Sequence, residues 1–405
     1  MKQDVVVTGV DVVAPNGVGT EAYWAATLKG VSAIRPITRF DASDYPVRLA
    51  GEVPEFEGES AFPKRLVPQT DRLTRLAMLC ADAALADARV DPAALSAYAV
   101  GAAVSSSTGG LHFGQEQLQL LWGTGWEAVS PYMSFAWYYA VNTGQISIKN
   151  GLRGPGGVVV SEQAGGLDSI AFARRRVRQG TPVMTTGGFD SMLCPYGVST
   201  VSTATGVSRS DDPERAYLPF HAGSPGFVPG EGGAVLVLES RTGAVERGAP
   251  QVYGTVAGHG AAFEPPGSDS PGDGLVRAAR SALRDAGLSA GDVDVVFADA
   301  AGSVPLDLAE TAALVELFGP GGVPVSAPKA LVGRLLSGGA ALDAVAALLC
   351  LRDGVVPALP EVAADTVDPR VDLVVGEPRA LESRTALVLA RGHGGFASAM
   401  VLTGA

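Results

Sequence analysis

A chain of 405 residues with 47% apolar and 18% charged side chains is too long for one small domain, can bury a large core and is not globally disordered. Its net charge of -12 speaks against a nucleic-acid or anionic-membrane binder, because such partners need a concentrated basic face. Cys80, Cys194 and Cys350 are far apart and fit neither a CxxC metal site nor a disulfide framework, so a reduced cytoplasm is the expected compartment.

In chain order, residues 5–9 read as an apolar strand, with no basic segment or apolar stretch of a secretory signal ahead of it. Asp71–Ala86 reads as a helix, with Leu73, Leu76, Ala77, Leu79 and Cys80 at helical spacing. Val158–Val160 is a short β-branched run that stops at Ser161-Glu162-Gln163, and Ala164–Arg178 is a helix closed by Gly180. Ala234–Leu238 is a strand, and Gly223–Gly233 reads as a turn-rich connection near a domain boundary.

A second cycle then follows. Gln251–Val256 resembles the opening strand, Leu275–Ala286 is a helix and Val293–Phe297 a buried strand. A Ser-Ala-Pro-Lys loop leads into a long helix from about Leu331, whose most apolar part, residues 338–351, carries Asp343 and is too short to span a bilayer. The repeated order predicts two similar α/β halves, 1–246 and 247–405.

The chemistry concentrates at Val-Val-Val-Ser-Glu-Gln-Ala-Gly-Gly-Leu-Asp. A residue at a strand end just ahead of a helix presents its side chain to free N–H groups and the positive end of the dipole. A cysteine there would have a depressed pKa and act as a nucleophile. Gln163 stands at that point, and a carboxamide cannot form a thioester.

These residues, with VVVTGVDVVAPNG at 5–17, SFAWYYAVNTGQISI at 134–148 and GFVPGEGGAVLVLES at 226–240, resemble the thiolase-fold condensing enzymes. Within them the likeness is to the chain-length factor, or ketosynthase β subunit, of bacterial type II polyketide synthases, and it covers essentially the whole chain. The resemblance implies mixed five-stranded sheets in a layered αβαβα arrangement. It also implies that catalytic relatives carry cysteine at position 163, histidine at 299 and histidine at 334. Here those positions hold Gln163, Asp299 and Arg334, so no catalytic residue is expected. A carboxylate at 299 would repel a developing enolate. The family's glycine-rich C-terminal motif has phenylalanine second; here it reads Gly392-His393-Gly394-Gly395, which weakens an acyl-gating role.

Asp299 and Arg334 are expected to form an ion pair, the alternative being two separately solvated side chains. Glu310 and Lys329 match a structural glutamate–lysine pair of the family. For Gln163 the alternatives are a local cap and a decarboxylating role that primes synthesis on malonyl-carrier protein. Leu111, Gly114 and Leu118 share one helical face and, with Met133 and Tyr196, are the implied wall and gate of a cavity at a subunit interface. Small gate residues leave depth, and a chain of about decaketide length is the expectation. Arg174–Arg176 and Arg178 read as solvated cations complementing a helix C-terminus. His112, His221 and His259 lack ligand-spaced neighbours, so no metal is expected.

The implied function is the non-nucleophilic, chain-length-determining subunit of a minimal, aromatic type II ketosynthase heterodimer. Its implied partners are a catalytic ketosynthase α subunit, an acyl carrier protein and the growing polyketide. No cofactor is bound directly; the phosphopantetheine is carried by the acyl carrier protein. Alternatives are a malonyl-carrier decarboxylase acting through Gln163, a polyene-type chain-length factor and a purely structural scaffold.

Overall fold

The computed structural model describes residues 3–265, 267, 272–361, 368–382 and 384–405. Its first half supplies strands β1 (Val5–Ala14), β2 (Val100–Ser105), β3 (Gly156–Gly157), β4 (Val183–Ser191) and β5 (Glu231–Ser240). The second half supplies β6 (Gly254–Phe263), β7 (Val295–Phe297), β8 (Pro324–Ser326), β9 (Thr385–Gly392) and β10 (Phe396–Thr403). Spatial order is β3-β2-β4-β5-β1 in one half and β8-β7-β9-β10-β6 in the other. The pairing senses match as well. β2 is parallel to β3 and β4, whereas β5 is antiparallel to β4 and β1. Likewise β7 is parallel to β8 and β9, whereas β10 is antiparallel to β9 and β6. The two sets meet where Val6 and Val7 of β1 pair with Thr255 and Gly254, giving one 12-stranded sheet with two short flanking strands.

Helices fill the layers between and outside these strands. Helix α1 (Arg72–Asp87) covers β1 and β5, with the Asp71 carboxylate capping the Leu73 N–H at 2.8 Å. Helix α2 (Leu111–Gly123) and α3 (Val141–Asn150) precede α4 (Gly165–Arg178). In the second half, α5 (Asp273–Ala286) lies on β6 and β10, α6 (Val304–Phe318) packs on α5, and α7 (Ser337–Asp353) enters the centre. Strand alternation divides the core as a two-residue period requires. Ala234, Leu236 and Leu238 face the central layer, whereas Val235 and Val237 face α1. Ala386, Val388 and Ala390 face the centre, while Leu387 and Leu389 pack under α5.

Central helices α4 and α7 touch backbone to backbone. A Cβ on Gly166 would lie 2.4 Å from the Ser337 carbonyl oxygen and 2.6 Å from the Ala341 nitrogen. Residues 337–351 of α7 are all buried, which explains why its apolar character shows no polar face.

Several sequence expectations shift. The long helix starts at Ser337, not Leu331, because a 3-10 turn at Pro328–Leu331 and left-handed backbone at Gly333 and Leu336 (φ 50°) interrupt it. Val158–Val160 is not a strand; pairing stops at Gly157, and Val160 is exposed at the sheet edge. The Gly223–Gly233 stretch lies within the first half: β5 begins inside it, and Pro229 bridges to Arg334. The chain passes between halves through a short helix, Arg241–Glu246. Arg174 is buried rather than solvated. Its guanidinium meets Asp285 at 2.5 Å and the Ala257 carbonyl, fastening α4 to the second half.

Gly166→Val forces α4 and α7 apart and is expected to destabilise the protein by about 1–3 kcal/mol, as overpacking does. A fall in the denaturant midpoint measures it; an unchanged midpoint contradicts the close approach.

Candidate functional site

Gln163 sits in the turn that carries the chain from β3 into α4. Its predecessor Glu162 has φ 49°, a left-handed conformation that costs a non-glycine residue about 1–2 kcal/mol. Surrounding contacts hold it there. The Glu162 carboxylate accepts the His393 N–H at 2.8 Å, and its carbonyl accepts the Ser337 hydroxyl at 3.0 Å. Gln163 is 0% exposed, and neither amide atom has a hydrogen-bond partner among the described residues. It fits because Gly339 lies opposite, where a Cβ would come within 2.8 Å of Nε2.

Asp299 follows β7 and is also fully buried. Its Oδ1 lies 3.3 Å from Arg334 Nη2 and accepts the Arg391 backbone N–H at 2.9 Å, while Oδ2 accepts Arg391 Nε at 3.1 Å. Burial alone would raise the Asp299 pKa. The positive charges of Arg334, then Arg391 and Lys329, outweigh it and hold the carboxyl down at about 2. Arg334 also donates to the Arg391 carbonyl at 2.9 Å and lies 3.9 Å from Glu162. Asp299 and Arg334 thus meet in one ion pair, and Arg391, which no motif singles out, is its third member.

Glu310 and Lys329 do not pair with each other. Glu310 accepts the backbone N–H groups of Asp299 and Ala300, each at 2.8 Å, and pairs with Arg391 at 3.2 Å. Lys329 donates to the Ala298 and Asp299 carbonyls at 2.5 and 3.0 Å, and its charge is met by Asp343 of α7 at 2.6 Å. Each side chain binds the turn after β7 from a different side, so both act on Asp299 without touching. Burial lifts the Asp343 carboxyl to about 6 despite the lysine beside it. Asp307, accepting the Phe220 and Gly302 N–H groups at 2.9 and 3.1 Å, is pushed by burial to about 7.

The five gate candidates surround a different region. Gly114 is buried beneath Trp137, whose Cβ lies 3.3 Å from where a Gly114 Cβ would stand. Leu111 is half-buried against Gly197, Met133 is half-buried in the turn Pro131–Ser134, and Leu118 and Tyr196 are exposed. The Tyr196 N–H donates to Gln115 of α2 at 2.7 Å, joining the two segments. Around them an aromatic surface emerges: Trp122 is 84% exposed and Trp126 73%, with Tyr132, Phe135, Trp137, Tyr138 and Tyr139 also at the surface. Within it Tyr132 meets Phe135, and Tyr138 meets both Trp137 and Tyr139, and exposed apolar surface on this scale is typical of an interaction site. The run Phe135-Ala-Trp-Tyr-Tyr139 carried that signal in the sequence.

Among the described residues no cluster of three His, Cys, Asp or Glu could hold a metal. His259 instead meets Asp168 at 3.2 Å and Ser398 at 3.1 Å, and His112 lies 3.6 Å from Glu116. No helix there is long and apolar enough to cross a membrane.

Residues 2–244 match the family model for the beta-ketoacyl synthase N-terminal domain, and residues 252–363 that for the C-terminal domain. The chain is 53% identical over 400 residues, 98% of each protein, to the tetracenomycin polyketide synthase ketoacyl synthase beta subunit of Streptomyces glaucescens. It is 51% identical over 399 residues, again 98% of each, to the actinorhodin polyketide putative beta-ketoacyl synthase 2 of Streptomyces coelicolor. Among solved structures it is similar to the ishigamide ketosynthase/chain length factor, with a TM-score of 0.90 and 26% identity over 100% of both chains.

Asp299→Ala leaves two guanidinium groups without their carboxylate and should destabilise the protein by about 3–5 kcal/mol. Because the folded-state pKa of Asp299 lies below the ordinary 3.8, its stabilisation is present above 3.8 and lost as pH falls toward about 2. Denaturant unfolding across that range should show the loss in the unaltered protein and a flatter profile in the variant.

Proposed function

The chain belongs to the beta-ketoacyl synthase family, as a ketosynthase β subunit, or chain-length factor, of the bacterial type II polyketide kind, and we propose that it is the non-nucleophilic, length-setting half of a ketosynthase heterodimer. One observation carries this reading. The position that would need a thiolate holds a sealed carboxamide, Gln163, and the positions that would need neutral imidazoles hold the ion-paired Asp299 and Arg334. No group at the site can attack a thioester, and Asp299 opposes enolate charge.

The catalytic α subunit supplies the thiol and the imidazoles. It joins malonyl-derived units delivered on the phosphopantetheine arm of an acyl carrier protein. This chain contributes shape. Its aromatic face around α2 is the surface for the α subunit, and Leu111, Gly114, Leu118, Met133 and Tyr196 wall the cavity closed between the two. Leucine and glycine at the gate leave room for a chain of about decaketide length, since each added unit needs unfilled volume. Excluding water from that volume protects the reactive poly-β-ketone. Its identity of 53% to the tetracenomycin subunit and 51% to the actinorhodin one supports grouping it with polyketide subunits of that kind. The division into halves at residues 246/247 is supported by the repeated strand order and by family models that stop at 244 and resume at 252. A cytoplasmic location is supported by three free, buried cysteines.

Decarboxylation through Gln163 is disfavoured because the amide is closed off from solvent and faces a glycine of α7. Gln163→Leu removes two unsatisfied polar atoms at similar volume. It should leave release of carbon dioxide from malonyl-carrier protein unchanged in the heterodimer and raise stability by about 1–2 kcal/mol. Loss of that release would restore the priming role.

Co-expression with a catalytic α subunit is expected to give a co-purifying heterodimer that makes polyketide, whereas this chain alone makes none. Leu118→Phe, which fills gate volume from an exposed position, should shift the products to shorter chains by mass spectrometry. Unaltered length in an active complex argues for a scaffold only.

A further inference from the structure

Phe113, Gly114 and Gln117 are the buried residues of α2, and Gln117 is the polar one among them, 7% exposed. A carboxamide at such a position costs stability unless it is hydrogen-bonded. Its Oε1 accepts the backbone N–H of Ser130 at 2.8 Å. Ser130 starts the turn that carries Met133, and its hydroxyl accepts the Tyr132 N–H at 3.2 Å. Within the turn the Met133 N–H donates to the Ser130 carbonyl at 3.0 Å. Those of Phe135 and Ala136 donate to the Tyr132 carbonyl at 3.1 and 2.8 Å, so residues 130–136 form one hydrogen-bonded unit.

That unit is held against α2 at both ends. At the far end Gly109, Gly110 and Gly114 pack on residues 136–139, so closely that a Cβ on Gly110 would fall 2.1 Å from the Ala136 carbonyl oxygen. At the near end, Gln117 makes the one side-chain hydrogen bond between α2 and residues 130–139 among the described residues. Helix α2 is itself a fixed reference. Its N-cap Gly110 supplies no side-chain cap, and the carboxylate of Asp71, the N-cap of α1, accepts the Phe113 N–H at 2.8 Å instead. Met133 lies between the two attachments. A turn attached only at its far end can pivot about the glycine contacts, and a wall that pivots encloses no single volume. Groups that select by shape need their supports locked by packing and hydrogen bonds. We propose that Gln117 is a positioning residue for chain length: by binding the Ser130 N–H it fixes the Met133 turn against α2 and holds the cavity wall at one depth. The proposal deepens, and rests on, the reading of this chain as the length-setting subunit.

Mass spectrometry of the polyketides made by the purified heterodimer tests it, read as the ratio of main-length to off-length product. Gln117→Leu keeps a similar volume and loses the acceptor. The ratio should then fall about tenfold, the scale of one buried hydrogen bond left unmade. Gln117→Glu keeps an acceptor oxygen at the same reach and should bring the ratio back to within about twofold. Ser130→Pro deletes the N–H on the other side of the bond. Proline suits φ -62° at that residue, and Val129 before it already has ψ 129°. This variant should broaden the products as Gln117→Leu does, and it carries the test if Gln117→Leu does not fold. A residue needed only for folding would change the yield of complex and leave the ratio alone. An unaltered ratio in either folded variant, or a Gln117→Glu complex no better than Gln117→Leu, overturns the proposal. An unaltered heterodimer that makes no polyketide would instead overturn the functional reading beneath it.

Discussion

A carboxylate with no access to water organises the middle of this protein. Asp299 is buried at the end of β7, and its charge persists only because Arg334 and Arg391 reach it from two other segments. Desolvation of such ions is repaid only when geometry is good and the remaining hydrogen bonds are made. The surroundings comply: Glu310 takes the backbone N–H groups of the turn, Lys329 binds its carbonyls, and Asp343 balances the lysine from α7. The turn after β7, the loop ahead of α7 and the end of β9 are thereby locked together. A site that must admit substrate and move protons cannot be filled in this way. A wall can.

The lock has its effect because the two halves share one central layer. Helix α4 comes from the first half and α7 from the second, and they approach so closely that Gly166 tolerates no side chain. Both helices begin at the vestigial site, where the Ser337 hydroxyl holds the Glu162 carbonyl and its backbone N–H binds the buried Asp190 at 3.0 Å. Asp190 in turn accepts N–H groups from the Ser107–Thr108 turn that leads into α2. A chain of contacts therefore runs from the charge cluster, through the Arg334–Glu162 ion pair at 3.9 Å and then these hydrogen bonds, to the turn ahead of the helix that carries Leu111, Gly114 and Leu118. Rigidity at the old reaction centre is thereby passed to the start of α2.

Much of this was legible from sequence, and the failures have physical causes. Period and capping residues placed α1, α4 and α5 within a few residues, and the repeat of strand, helix, strand anticipated the two matching halves. Gln163, Asp299 and Arg334 were found because each occupies a motif position with the wrong chemistry. Arg391 was missed because it lies 92 residues from Asp299 in the chain and pattern reading along one segment cannot register such a partner. The Lys329–Asp343 pair left a signal that deserved more weight: one acid in an otherwise apolar helix is buried at high cost unless a cation meets it. Strands such as Val183–Ser191 escaped because their threonines and glycines hide the alternation that apolar strands display.

The exposed face around α2 follows from the same division of labour. Trp122 and Trp126 stand almost bare at the end of a helix whose buried side is tied to the fold by Phe113 and Gln117. Such aromatic surface is unfavourable in water and is used where a partner removes it. A chain that has exchanged its nucleophile for an amide and its imidazoles for a salt-bridged lock contributes to chemistry only through that removal. In the proposed reading, the volume left when the face is covered is what this chain contributes. Gly114 lies beneath Trp137 on that face, and the central layer keeps the backbone carrying both in one place.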